Sequence, residues 1–234
     1  MISCKFMRQG VIDSFFKQVG PAGYYRWLVA TRFLGLPVHF PDQTILDVGA
    51  HNGGFLDRLT ARVKIGIDLM EQPVQPQLWS TADATRLPLA ANSFDQVMAF
   101  DIIEHISADD QVLTEIARVL KPGGTLWLST TFAEYYIFPG GPVQRRLERS
   151  WGHVRRGYTQ SELERQLPSE LTGTLLPWNE PAFRYLYVPL KGLHALSAPL
   201  ARILMEAMYR WDAHRPRGQR GHWFARLTKQ SSPR

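Results

Sequence analysis

An α/β fold that holds a ligand at the carboxyl end of its first strand is predicted by three observations. Residues 44–48 form a short, largely apolar run closed by Gly49, and Phe55, Leu56 and Leu59 then recur at helical spacing, so the period changes across a glycine-bearing turn. Carboxylates stand at the ends of further apolar runs: Asp68 closes residues 63–67, and Asp101 follows residues 94–100. Residues 115–120 read as a helix stopped by Lys121-Pro122-Gly123-Gly124, with another strand over residues 125–129. Strands alternating with helices in this way are the pattern of an α/β sheet. The 234 residues, 44% hydrophobic and 12% aromatic, suit one such domain with a sizeable core.

Taken in order, residues 1–42 suggest short helices, with Tyr24, Tyr25, Trp27, Leu28 and Phe33 as an aromatic-apolar set and Pro21, Pro37 and Pro41 as breaks. The loop after the first strand has the spacing Asp47-x-Gly49-x-x-x-Gly53. Glycine there lets the backbone turn sharply and a ligand approach closely. Asp47 faces the crevice where open α/β sheets bind ligands. The loop lacks the G-x-G-x-x-G and G-x-x-x-x-G-K-[ST] patterns that seat pyrophosphate or triphosphate on a helix N-terminus, which disfavours dinucleotides and ATP. A carboxylate suits instead a ligand with a positive group, and S-adenosylmethionine is one. Asp68 stands where an acidic side chain accepts hydrogen bonds from ribose hydroxyls.

The order of these pieces, with Ala82-Asp83-Ala84 and Asp101-Ile102-Ile103-Glu104-His105 between them, resembles the class I S-adenosylmethionine-dependent methyltransferases, in particular the type-11 group of small-molecule enzymes, over residues 44–130. The resemblance implies a three-layer, Rossmann-like, seven-stranded mixed sheet of order 3-2-1-4-5-7-6. It implies cofactor contacts from Asp47, Gly49, Ala50 and Gly53 near the methionine part, Asp68 on the ribose and Asp83 with Ala84 beside the adenine, Leu69 and Phe100 completing the set. One departure stands out: His51 occupies the place of the usual middle glycine, which leaves either a different turn with the imidazole towards the cofactor or an exposed loop histidine. Each residue also has a purely structural reading, with packing glycines, Asp68 as an N-cap and Asp83 as a turn residue.

Beyond the fifth strand, residues 131–160 depart from regular structure, with Pro139-Gly140-Gly141-Pro142 as a loop and residues 144–150 as a basic helical patch. Thr159 and Glu162 fit a capping box that opens a helix. Residues 170–180 and 221–229 supply the sixth and seventh strands, an antiparallel pair as the resembled fold requires. Between them, residues 185–211 read as an amphipathic helix pair, serving as a lid over the acceptor or as a surface that touches a membrane; Lys191, Arg202, Glu206 and Arg210 with Pro189 and Pro199 argue against a spanning helix. The domain map is therefore a single methyltransferase domain: 1–42 as an N-terminal helical cover, 43–184 as the cofactor-binding core, 185–211 as the insertion, and 212–234 as the final strand and basic tail.

Charge locates the excess. Of 27 basic and 21 acidic residues, eight basic and two acidic fall in residues 201–234, which leaves 19 of each in the first 200, so the net +6 belongs to the tail. Arg210, Arg215, Arg217, Arg220 and Arg226 there suit phosphates of RNA or of anionic lipid, or are simply solvated. The single cysteine, Cys4, excludes an internal disulfide and a cysteine zinc cluster, consistent with a reducing compartment. Charges at Lys5, Arg8, Asp13 and Lys17 interrupt any secretory core, so a cytoplasmic protein is expected, in peripheral contact with the inner face of the membrane.

For the chemistry, a neutral histidine near the methyl group is the natural base for a hydroxyl acceptor, and His105 and His153 are the candidates, with Glu104 as an orienting carboxylate. Asp101, Glu104, His105 and His153 are similar to sequences that hold a divalent ion in the ubiquinone-pathway O-methyltransferases and the small-RNA end methyltransferases; such a set suits magnesium, manganese or zinc. The expected function is O-methylation of a hydroxyl on a sugar, a lipid-linked intermediate or an aromatic metabolite. The alternatives are an RNA methyltransferase using the basic tail, against which the absent Asn-Pro-Pro-Tyr or Asp-Pro-Pro-Tyr signature speaks, and a non-catalytic binding module that retains the fold.

Overall fold

Side chains alternate between the two faces of a strand, and here both faces are covered, which is why the central strands are apolar almost without interruption. The computed structural model describes residues 2–70, 78–134, 152–215 and 221–231 with residues 146 and 149, and side chains from residue 12 onward. Strands β1 (His39–Val48), β2 (Thr60–Asp68), β3 (Leu78–Thr81), β4 (Phe94–Phe100), β5 (Leu120–Thr131), β6 (Leu171–Asn179) and β7 (Gly221–Lys229) form one sheet of order β3-β2-β1-β4-β5-β7-β6. The first five run parallel, and β7 lies antiparallel between β5 and β6. This is the expected topology.

Alternate residues feed two cores. Ile45, Met98, Trp127 and Phe224 pack on the side of helices α1 (Ile2–Arg32), α5 (Pro181–Leu196) and α6 (Ala198–Ala213). Leu46, Val97, Leu126 and Ala225 pack on the opposite side against α3 (Asp109–Val119), whose Val112, Leu113 and Ile116 recur at helical spacing and are fully buried. Among the described residues, two shorter helices are α2 (Gly54–Arg58) and α4 (Gln160–Gln166), and the latter opens with the expected capping box: the Glu162 N–H donates to Thr159 Oγ1 at 3.3 Å and the Thr159 N–H to Glu162 Oε2 at 2.8 Å.

Several boundaries differ from the sequence expectation. The cover is one helical run broken at Gly20 (φ 68°), a conformation open to glycine, after which Pro21 restarts the helix. The strand β1 begins at His39, so the boundary drawn at residue 43 falls inside it; a register shift between Phe40 and Thr44 lets Pro41 sit in the strand. Helix α2 ends before Leu59, which is already extended, because Lys64 Nζ caps the Leu56 and Leu59 carbonyls at 2.7 and 3.0 Å and the chain turns directly into β2. The strand after α3 starts at Leu120, ahead of the Pro-Gly-Gly stop, by pairing Leu120 with Phe94. The insertion is wider than drawn, because Asp212 accepts the Ala182 and Phe183 N–H groups (3.0 and 3.4 Å) and so fixes the first turn of α5. Residues 139–142 and most of the 144–150 patch lie outside the described residues, as do Arg217 and Arg220. No helix among the described residues is long and apolar enough to cross a membrane.

Candidate active site

The first crossover is built by a glycine whose replacement would be both strained and crowded. Gly49 has φ 76°, and a β-carbon on it would lie 2.8 Å from Ile102 Cδ1. Its N–H and that of Ala50 both donate to the Ile67 carbonyl, at 2.8 and 3.0 Å. His51 adopts the left-handed backbone typical of glycine (φ 48°), and the histidine is exposed at the outer edge of the turn. The His51 N–H donates to Asp68 Oδ2 (2.9 Å) and the Met70 N–H to Asp68 Oδ1 (3.0 Å), which ties the first loop to the end of β2. Gly53 (φ 69°) opens α2.

This loop lines a cavity of about 370 Å³ with Asp47, Gly49, Ala50, Phe55 and the kinked part of α1. A second cavity, about 290 Å³, lies beside it, walled by Tyr25, Phe183, Tyr187 and Phe224 and floored by Glu104, His105 and His153. Ala22, Arg26, Gly49, His51 and Phe100 line both, so the two are neighbours across the Phe100 ring. Asp47 is buried, and burial first, then the charge of Asp68, push its carboxyl up to about 8. Two expected residues sit further out: Leu69 is exposed, and Asp83 is an exposed turn residue whose Oδ1 accepts the Thr85 N–H and hydroxyl, both at 2.8 Å. Ala84 and Phe100 are buried.

At the end of β4, Asp101 (φ 49°) turns its carboxylate into a buried ionic cluster. It pairs with Arg26 from α1, accepts the Ser129 hydroxyl at 2.5 Å, and faces His222 Nε2 at 3.4 Å; His222 Nδ1 lies 2.9 Å from Glu180. Despite burial, Arg26 and His222 hold Asp101 well below the usual carboxylate range. The opposing effects on His222 resolve the same way: burial alone would lower it, but Glu180 and Asp101 carry it to about 10, so it is an imidazolium at neutral pH. Three residues along, a 3-10 turn over Ile103–His105 presents Glu104 and His105. Glu104 is fully buried; Oε2 accepts the Thr130 hydroxyl at 2.9 Å and Oε1 has no hydrogen-bond partner. Burial, followed by the Asp101 charge, raises it to about 7. The Val154 N–H donates to the Glu104 carbonyl at 3.1 Å and thereby draws in His153, whose ring meets that of His105 edge-on, centroids 4.6 Å apart.

Donor atoms of Glu104, His105 and His153 lie within 4.8 Å of one another, whereas Asp101, grouped with them from the sequence, is turned away into its ion pairs. The orienting role expected of Glu104 has no hydrogen bond to a ring behind it, since its one bonded oxygen is taken by Thr130. Sequence reasoning missed Arg26, Glu180 and His222. The signal available was weak: Arg26 and His222 are titratable residues beside aromatic ones, Tyr25 and Trp223, and Glu180 follows Trp178 by two residues.

A dependence on pH follows from these groups. Asp47 and Glu104 keep their protons when folded up to about 8 and about 7, against ordinary values of 3.8 and 4.5, and His222 keeps its proton to about 10 against 6.5. The folded chain thus binds more protons than the unfolded one, and stability falls as pH rises, first through the carboxyls and then through the histidine. Asp101 acts in the opposite sense, but only at and below the ordinary carboxylate range. Scanning calorimetry is expected to give a Tm that declines steadily from about pH 5 to about pH 10; a flat or rising Tm over that span would contradict the burial of these groups.

Residues 46–128 match a protein family described as a methyltransferase domain. The chain is 31% identical over 159 residues to the biotin biosynthesis bifunctional protein BioHC of Cellvibrio japonicus, covering 61% of this chain and 30% of that one. It is 31% identical over 162 residues to an uncharacterized methyltransferase of Mycobacterium bovis, covering 61% and 63%. The chain therefore spans less than two thirds of the length of these curated relatives. Among solved structures, phosphoethanolamine N-methyltransferase 2 of Haemonchus contortus in complex with S-adenosyl-L-methionine superposes with a TM-score of 0.63 at 16% identity, over 95% of this chain and 57% of that one, a likeness of fold.

Proposed function

We propose, from the premise that this chain belongs to the class I S-adenosylmethionine-dependent methyltransferases, that it binds S-adenosylmethionine and transfers its methyl group to a hydroxyl of a small-molecule acceptor. One observation carries the reading: two cavities at the carboxyl edge of the sheet meet at Phe100, one against the first-crossover loop and the other against Glu104, His105 and His153. The cofactor, when bound, supplies a methyl group on a positively charged sulfur. The first cavity suits it. Asp47, buried and not compensated by a cation, is a carboxyl that a cationic ligand would return to its charged form. Gly49 and Ala50 give the close backbone, with Gly53 opening the helix behind them, and Asp68 retains lone pairs for the ribose beyond the two N–H groups it accepts.

The second cavity suits the acceptor. Its aromatic walls match the apolar part of an amphiphilic or aromatic molecule, and His105 or His153 would take the hydroxyl proton as the new bond forms. A second reading is favoured by the buried Glu104 Oε1, which has no hydrogen-bond partner and stands with the two imidazoles: one carboxylate and two nitrogens fit a divalent ion such as zinc or manganese, which would lower the pKa of a bound hydroxyl.

The test is calorimetric and kinetic together. Binding of S-adenosylhomocysteine at one site per chain is expected, and with a turned-over hydroxyl acceptor, His105→Ala and His153→Ala should each lower kcat by about 10²-fold while leaving that binding in place. A chain blind to the nucleoside removes the proposal; full activity in excess chelator removes the ion alone.

A further inference from the structure

We infer that the outward face of the α5–α6 hairpin is a docking surface for an anionic lipid bilayer. Tyr185, Val188 and Leu196 on α5, and Leu200, Ile203 and Trp211 on α6, recur at helical spacing and stand exposed, Leu196 at the hairpin tip to 88%. A run of apolar side chains of this length on a solvent-facing stripe marks an interaction site.

The charges select the partner. Lys191 on α5 and Arg210 on α6 are exposed, as is Arg215 just past the end of α6. The only carboxylates of these two helices turn inward: Glu206 takes Arg32 at 2.6 Å and the Tyr24 hydroxyl at 2.7 Å, and Asp212 takes the Tyr25 hydroxyl and the first N–H groups of α5. Arg202, the remaining charged residue of α6 besides these, is buried against Asp13 at 2.7 Å. The face that remains is apolar and cationic with no acid of its own, which suits lipid headgroups above an acyl boundary. A second copy of the face would set like charges against one another. Single-stranded RNA would call for a row of stacking rings, where this stripe is mainly aliphatic.

The inner side of the same hairpin places Phe183 and Tyr187 in the wall of the 290 Å³ cavity, so a docked hairpin sets that cavity beside the bilayer. Delivery of an amphiphilic acceptor by this route rests on the function proposed above; the docking does not.

Flotation of the full chain is expected with vesicles of about 30% phosphatidylglycerol in phosphatidylcholine at about 100 mM salt, and at least tenfold less with phosphatidylcholine alone. The pair Leu200→Asp with Ile203→Asp, and separately Lys191→Glu with Arg210→Glu, should each lower partition at least tenfold, with the circular dichroism spectrum and Tm reporting that the fold is intact. If the first pair disturbs that spectrum or Tm, Leu196→Asp at the exposed tip takes its place. Absence of flotation, flotation unaffected by these substitutions, a dimer in solution that they dissociate, or retention on RNA that they abolish overturns the inference.

Discussion

Replacing Asp101 with alanine is expected to destabilise the folded chain by about 3–5 kcal/mol, the cost of leaving buried charge without its partner. The carboxylate stands between Arg26 and the imidazolium of His222 and accepts the Ser129 hydroxyl, so its removal leaves Arg26 without this partner, His222 with Glu180 alone and the Ser129 donor unmatched, in a largely buried cluster. For a chain of this length the loss corresponds to a Tm drop of about 10 °C. Asp101→Asn separates charge from backbone, because asparagine tolerates the left-handed φ of 49° and keeps an acceptor for Ser129. It should retain part of the loss, with the pH dependence between about 6.5 and 10 flattened, since His222 would return towards its ordinary value. Chemical denaturation of the two variants measures both effects, and a change below about 1 kcal/mol in each would mean that the cluster is solvated.

The second large effect concerns the nucleoside. Asp68→Ala is expected to weaken S-adenosylhomocysteine binding by about 10²-fold or more, since hydrogen bonds to a charged group contribute about 1.5–3 kcal/mol each. Two losses combine. The side chain clamps the first loop through the His51 N–H and the segment after β2 through the Met70 N–H, and under the proposed function it also receives the ribose hydroxyls. Titration calorimetry separates this from unfolding when the Tm of the variant is recorded beside it. An affinity within threefold of the parent chain would place the sugar elsewhere.

Features that depend on a few neighbouring residues were legible from the sequence. The glycine turn at Gly49, the Thr159–Glu162 capping box and the extents of β6 and β7 rest on local conformational rules, and the structure has them where the sequence puts them. Element lengths were less so, because tertiary bonds override the period: Lys64 reaches back to end α2, and Asp212 reaches across to begin α5. The ionic cluster was not legible at all. It needs the register of β7 on β5, which pairs Thr131 with His222 across some ninety residues of chain, and the bend at Asp101 that aims its carboxylate away from Glu104. The spacing Asp101-x-x-Glu104-His105 reads as one constellation, and the positive φ divides it into a carboxylate committed to ion pairs and a group that stands with the histidines, both on the wall of the 290 Å³ cavity.

Strand β7 follows β6 along the chain yet is wedged between β5 and β6 in the sheet. Until it arrives, β6 has no partner and Asp101 lacks the histidine that helps hold it. Strands β1 to β5 can thus pair from neighbours in sequence, while the cavity wall that holds His222 and Phe224 waits until β7 has been made. Assembly of the two halves is staggered by topology alone, and the second cavity closes its wall only when β7 is in place.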